Sequence, residues 1–302
     1  MSQYQLIDFG HGRKLESLAG YLVDRPGPAA EGAVPTCDRR TWQTADAIFQ
    51  QDQRRWEFRR PWPEAIALQA NGFVMPFRAT PFGHIGCFPE QLPHWGWLAE
   101  QVRQFQGVPP IIRPTPTVRP SVPASEPAIV RGLNLFAHTG GSTFAMASAG
   151  ASVTHVDAAK PSVTAARQIA TLNALDAAPI RYLVEDAARY AAREVRRGQR
   201  YDLVVLDPPS YGHAPSGKTW RIQRDLWPLL DDCLRLLGGP RSAMLVTGHS
   251  VDPDQHRIAD YLHDQIARRG QANRLQIAVG RSELSDRAGR LLDAGYFVRA
   301  TW

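Results

Sequence analysis

Three turns in this chain hold residue types suited to gripping a nucleoside and aiming an amine. The first is His138-Thr-Gly-Gly-Ser142, which follows the apolar positions Leu133, Leu135 and Ala137. Adjacent Gly140 and Gly141 let backbone N–H groups approach a ligand, and a helix N-terminus beside them favours an anionic group. The second is Asp157, ~20 residues on, placed to accept hydrogen bonds from both hydroxyls of a ribose. The third is Asp207-Pro208-Pro209-Ser210-Tyr211. Proline fixes the backbone and removes N–H donors, so carbonyls at this turn are expected to be open to a ligand beside the Asp207 carboxylate. Such acceptors suit an exocyclic amine held with its lone pair toward an electrophile. A Gly-x-Gly-x-x-Gly dinucleotide fingerprint is absent from residues 138–143. Two competing readings stay open: glycines that serve only a turn, and a Pro-Pro pair that only closes a strand.

The elements around these turns alternate. Leu133 to Ala137 has the length and burial pattern of a central parallel strand. Ser142 is the expected N-cap of the next helix, Phe144, Ala145 and Ala149 repeat at helical spacing, and Gly150 stops it. A strand over 153–156 ends on Asp157. Further helices are expected over 161–175, 187–197, 219–237 and 254–269, with strands over 180–184, 202–206, 243–247, 275–279 and 296–301. This alternation predicts an α/β fold with a doubly wound, mostly parallel sheet and ligands at the carboxyl ends of its strands. His138 and His249 fall at such ends and read as hydrogen-bonded wall residues rather than general bases. Lys218 and Trp220 either clamp a substrate or cap the helix that starts there.

Residues 1–107 differ in texture and read as a smaller β-rich domain, with a strand pair around Gly10-His-Gly12 and a turn at Asp24-Arg-Pro-Gly-Pro28. Trp56 and Phe58 share one strand face, and Arg55, Glu57 and Arg59 the other. The aromatics suit a core; the arginines are either a solvated face or a track for phosphates. Residues 108–127 form a proline-rich connector, and 128–302 the α/β domain. The 302 residues carry 35 Lys and Arg against 29 Asp and Glu, a net charge of +6 that permits a polyanionic partner such as RNA. Cys37, Cys87 and Cys233 are scattered with no C-x-x-C pair, so neither a disulfide framework nor a metal site is expected. No apolar run approaches the ~20 residues of a membrane span, the first residues lack a signal-peptide pattern, and a cytoplasmic protein is expected.

The chain from about 130 to 250 resembles the class I S-adenosylmethionine-dependent methyltransferases, in the group containing bacterial 23S ribosomal RNA methyltransferases. Asn134-Leu-Phe-Ala-His-Thr-Gly-Gly141, Val156-Asp157, Asp186-Ala187, Leu206-Asp-Pro-Pro-Ser-Tyr-Gly212 and Gly217-Lys-Thr-Trp220 carry the likeness. Gly12-Arg-Lys-Leu-Glu16, Asp24-Arg-Pro26 and Gly86-Cys-Phe-Pro-Glu-Gln91 extend it toward the N-terminus. The resemblance implies a Rossmann-like, seven-stranded methyltransferase domain that binds S-adenosylmethionine. The loop with Phe136, His138, Thr139, Gly140 and Gly141 would hold the methionine part and Asp157 the ribose. Asp186, beside Ala187, would bond the adenine amino group, and Gln91 corresponds to a family residue near the cofactor. Asp207, Pro208 and Tyr211 would line the acceptor side, Tyr211 stacking on a target base. Family members that methylate cytosine C5 place a cysteine after the fifth strand, where this chain reads Val246-Thr-Gly-His-Ser250.

The expected function is therefore N-methylation of a base in RNA, ribosomal RNA favoured. Two alternatives stay open: methylation of a small molecule or protein on the same fold, and an RNA-binding protein that has kept the fold without turnover.

Overall fold

The computed structural model describes residues 3–107, 129–213, 219–239 and 241–302. The expected connector over 108–127 and Lys218 lie outside them. The chain divides into two compact units, Met1–Pro93 with Gly280–Tyr296, and His94–Val279 with Phe297–Trp302.

In the first unit, β1 (Tyr4–Gly10), β2 (Arg13–Leu18), β3 (Tyr21–Pro26), β4 (Ala47–Gln50) and β5 (Arg55–Phe58) form a sheet in that order, with a short helix α1 (Arg39–Gln43) before β4. β6 (Ala67–Ala70) and β7 (Phe73–Pro76) form a separate hairpin. His11 and Gly12 both have positive φ, 50° and 71°, as the two-residue turn joining β1 to β2 requires. Asp24-Arg-Pro26, expected as part of a turn, lies inside β3 instead. Arg13 bonds Asp24 at 2.7 Å, and Arg25 pairs with the fully buried Glu16, so sheet ion pairs override the local turn signal. Burial would raise the Glu16 pKa, but Arg25 and Lys14 outweigh it and hold the carboxyl at about 2.

The second unit contains most of α2 (Leu92–Phe105), then β8 (Arg131–Leu135), α3 (Gly141–Ser148), β9 (Ser152–Asp157), α4 (Lys160–Leu172), β10 (Ile180–Val184) and α5 (Ala187–Arg196). It continues through β11 (Leu203–Leu206), a small ribbon of β12 (Tyr211–His213) and β13 (Thr219–Arg221), α6 (Ile222–Leu236), β14 (Ala243–Gly248) and α7 (Gln255–Ala267). The last strands are β15 (Gln276–Ser285) and β16 (Leu291–Thr301). Its seven-stranded sheet has the order β10-β9-β8-β11-β14-β16-β15. The pairs from β10 through β14 are parallel. Ser242 and Trp302 exchange both backbone hydrogen bonds (2.9 and 3.0 Å), an antiparallel signature where β16 joins β14. Leu203–Leu206 and Ala243–Val246 are buried throughout, as strands covered on both faces must be.

The chain leaves β8 outward through β9 and β10, then returns to place β11 on the other side of β8. This reversal opens a crevice at the carboxyl ends of β8 and β11, where helices on opposite faces diverge.

Two sequence expectations change here. The helix expected from residue 219 begins at Ile222, because Thr219–Arg221 pairs with Tyr211–His213 and the Ile222 N–H reaches the Ser210 carbonyl at 3.1 Å. The last two strands are longer than expected. Their tip belongs to the first unit, where Leu284 and Leu292 bury against Leu6 and Phe9. That contact between distant segments leaves no local pattern.

Candidate active site

The turn after β8 is built from alternating left-handed residues: Phe136 (φ 55°), His138 (φ 47°) and Gly140 (φ 98°). For non-glycine residues this conformation costs on the order of 1–3 kcal/mol each and persists only where surroundings impose it. The end of β9 imposes it. The Ala137 N–H donates to the Val156 carbonyl at 3.1 Å, and the His138 N–H donates to Asp157 Oδ2 at 2.8 Å. Asp157 Oδ1 accepts the Ala159 N–H, also at 2.8 Å. Each carboxylate oxygen keeps a further acceptor position.

The glycines have a reason the sequence reading did not reach. A Cβ on Gly141 would sit 2.2 Å from the Trp95 indole, and one on Gly140 would sit 2.9 Å from the Phe144 ring. Close packing by these rings therefore requires both glycines. Nor is Ser142 the N-cap: α3 starts at Gly141 with left-handed Gly140 as its cap and no side-chain cap bond. Its first N–H groups carry the partial positive charge of a helix start.

A buried polar chain sets α3 against the sheet. Asn134 Nδ2 donates to Thr143 Oγ1 at 3.0 Å, and Thr143 Oγ1 lies 3.0 Å from His155 Nδ1. An amide nitrogen only donates, so the Thr143 hydroxyl accepts from Asn134 and shares one further hydrogen bond with the imidazole Nδ1. Burial lowers the His155 pKa to about 3 and keeps the ring neutral.

The turn after β11 is braced by a residue that sequence reasoning left undecided. Trp220 is buried on β13, and its Nε1–H donates to the Pro209 carbonyl at 2.7 Å. Its ring also meets Phe136 edge-on, with centroids 5.1 Å apart. Of the carbonyls expected to stand open at this turn, those of Pro209 and Ser210 are engaged: Pro209 accepts from Trp220 and Ser210 accepts from Ile222. Pro208 is buried, Asp207 is half-buried and Tyr211 is exposed. The sequence left Trp220 as a clamp or a helix cap, and its bond to the Pro209 carbonyl makes it a brace instead.

These turns converge. The His138 ring is solvent-accessible, yet its dense surroundings hold its pKa below the ordinary histidine value against the opposing charges of Asp157 and Asp207. Thr139 Oγ1 lies 3.2 Å from His138 Nδ1. The Glu185 N–H reaches the Asp157 carbonyl at 3.0 Å, which brings in the end of β10. Asp186 then caps α5 by accepting the Arg189 N–H at 2.8 Å, with Ala187 buried behind it. A cleft of about 450 Å³ has Asp186, Ala188, Ala192, Trp220, Pro228 and Leu229 among its lining residues. Gln91 closes a 3-10 turn (Pro89–Gln91) in the first unit.

Residues 123–270 match the family model described as S-adenosylmethionine-dependent methyltransferase. The crystal structure of an S-adenosylmethionine-dependent methyltransferase from Agrobacterium tumefaciens is 32% identical. It superposes with a TM-score of 0.83, covering 99% of this chain and 90% of that one. The chain belongs to the S-adenosylmethionine-dependent methyltransferases.

Curated relatives of this methyltransferase match over shorter stretches. Ribosomal RNA large subunit methyltransferase K of Neisseria meningitidis serogroup B is 33% identical over 109 residues, 35% of this chain and 31% of the relative. Ribosomal RNA large subunit methyltransferase I of Tolumonas auensis is 34% identical over 82 residues, 27% of this chain and 21% of the relative. The matches thus span well under two thirds of those relatives. S-adenosylmethionine is the family's cofactor, and the donor set of this methyltransferase suits its chemistry. An uncapped helix start faces an amino-acid carboxylate well, the two-sided Asp157 acceptor suits a ribose diol, and the part-apolar cleft beside Asp186 suits an adenine ring.

Proposed function

We propose that this methyltransferase moves a methyl group from S-adenosylmethionine to an exocyclic amine of a base in RNA, ribosomal RNA above other RNAs. The observation that supports the reading is the Asp207-Pro208 turn, braced by Trp220, whose ring also meets Phe136 in the turn held by Asp157. The likeness to ribosomal RNA large subunit methyltransferases K and I and the net charge of +6 support the choice of RNA.

In this reading, Phe136, His138, Thr139, Gly140 and Gly141 hold the methionine part of the cofactor, Asp157 the ribose, and Asp186 with Ala187 the adenine. The cofactor supplies an activated methyl on a sulfonium. Asp207 would accept one N–H of the target amine and the Pro208 carbonyl the other, which would leave the nitrogen lone pair free to face the methyl that the cofactor supplies. On transfer, the N–C bond would form as the methyl leaves the sulfonium, which would keep the electron pair of the broken bond, and the extra amine proton would pass to Asp207 and solvent. Tyr211, 55% exposed at the mouth of the turn, stacks on the base. Alignment of this kind is worth up to ~7–11 kcal/mol of barrier.

Nitrogen is favoured over ring carbon by the cysteines. Methylation at cytosine C5 needs a thiolate nucleophile, and the turn after β14 offers His249 and Ser250. Cys233 lies inside α6, fully buried, where burial pushes its thiol pKa far up.

The test is transfer of labelled methyl from S-adenosylmethionine into ribosomal RNA, a protein extract and a low-mass fraction, with nucleoside mass spectrometry of the product. An N-methylated nucleoside is expected. Label confined to protein or small molecules, or appearing on a carbon atom, would overturn the reading.

A further inference from the structure

We infer that the amino edge of the seven-stranded sheet carries a second anion pocket, lined by Arg131, Arg181 and Arg197, that grips a backbone phosphate of the RNA. This rests on the RNA reading above and deepens it.

Charge is unevenly divided between the units. Met1–Pro93 with Gly280–Tyr296 holds 13 Arg and Lys against 13 Asp and Glu, so the whole net charge of +6 falls on the second unit. Between residues 181 and 200 six arginines face three acids. At that place the structure has a polar pocket of about 310 Å³, whose wall includes the three arginines, Glu194, Gln199 and Tyr201.

Two of the guanidinium groups are held in position. Arg131 donates to Gln199 Oε1 at 3.1 Å and lies over the Tyr201 ring, 5.2 Å from its centroid. Arg197 donates to Glu194 Oε1 at 3.2 Å. Among the described residues the Arg181 side chain makes no hydrogen bond or ion pair. The one acid on the wall is turned inward: the Glu194 side chain is 4% exposed, and it accepts the Tyr201 hydroxyl at 3.3 Å as well as Arg197. Glu194 therefore acts as an anchor, and the pocket presents a surplus of two positive charges. Planar guanidinium forks match phosphate oxygens in pairs. All three arginines are solvent-exposed, so a polymer backbone can reach them.

The location separates this pocket from methyl transfer. Arg131 opens β8 and Arg181 lies near the start of β10, whereas the candidate active site occupies the opposite ends of the same strands. Strands of five or six residues set the two about 15–20 Å apart, roughly five phosphates along one strand of a duplex. The pocket thus anchors RNA beyond the target base.

The test uses the full chain with the Arg131→Gln, Arg181→Gln, Arg197→Gln triple variant and with Arg181→Gln alone. Arg181 has no partner to lose, so the single variant keeps the fold. The probe is protein-free ribosomal RNA, with binding followed by fluorescence anisotropy across a salt series. The triple variant is expected to weaken RNA binding about 10- to 100-fold at low salt and to lower the log–log salt slope by about 2–3, and Arg181→Gln to lower it by about 1. Methyl transfer should show a raised KM with kcat within about twofold, and binding of S-adenosylhomocysteine should not move. Wild-type salt slopes in both variants would overturn the inference. Wild-type protein that binds RNA with this salt dependence yet transfers no methyl into it would overturn the function proposed above and leave the pocket standing; wild-type protein that does not bind RNA would overturn both.

Discussion

The Trp220 indole N–H lies 2.7 Å from the Pro209 carbonyl, while its ring touches Phe136 edge-on at 5.1 Å. One side chain thus ties the turn after β11 to the turn after β8. Trp220→Phe keeps a ring and removes the donor, leaving the Pro209 carbonyl without its partner at a cost of about 1–3 kcal/mol if water does not replace it. Steady-state kinetics should show kcat down about tenfold, with calorimetric affinity for S-adenosylhomocysteine within about twofold. Unchanged kcat would show that this bond does not position the turn for catalysis.

Asp157 accepts a backbone N–H on each carboxylate oxygen, from His138 and Ala159. Asp157→Asn must turn an amide NH₂ toward one of those donors. About 2–3 kcal/mol of stability should be lost in urea unfolding, and the affinity for S-adenosylhomocysteine should fall about 10- to 100-fold.

Asp207 is expected to act on the acceptor alone. Asp207→Ala should lower kcat for RNA by a factor on the order of 10²–10⁴ and leave cofactor affinity within about twofold. Loss of cofactor binding in this variant would mean that Asp207 belongs to the cofactor side.

Gly141→Ala should destabilise the protein with no ligand present, because the new methyl would meet the Trp95 indole at 2.2 Å. Overpacking of this kind costs about 1–3 kcal/mol, a fall of several degrees in the thermal midpoint. A wild-type midpoint combined with lost cofactor binding would show that the glycine instead makes room for the ligand.

Stability should fall as pH drops below about 6.5. Burial lowers the His155 pKa to about 3; burial and then the nearby Arg299 charge do the same for His94. Arg299 Nη2 lies 2.7 Å from His94 Nδ1, a geometry that suits a neutral ring accepting the bond. Between about pH 6.5 and 3 the unfolded chain binds these protons and the native chain refuses them, so stability rises with pH across that window. Each histidine contributes a slope of about 1.4 kcal/mol per pH unit. Urea unfolding at pH 7, 6 and 5 measures it, and His155→Gln should remove its share.

Much of the second unit was legible in the order of residues. The apolar strands, the helices between them and the acids closing strands over 153–157 and 180–186 all follow from patterns of period 2 and 3.6, and the first unit's leading hairpin follows from a glycine turn. The same local logic failed where distant segments meet. Trp220 reads alike as clamp or cap until Pro209 and Phe136 stand beside it. Gly140 and Gly141 look the same whether a ligand or an aromatic ring takes up the missing side chains.

By itself the sequence determined which residues sit at strand ends and what those residues are able to donate or accept, because both depend on near neighbours in the chain. Only the tertiary structure decided that β11 returns to the side of β8 opposite β9. Pairing of parallel strands joins residues about 70 positions apart (Leu135 with Leu206), and short-range hydrophobic period carries no record of which strand becomes the neighbour. That reversal is what brings the Asp207 turn to the same crevice as His138 and Asp157.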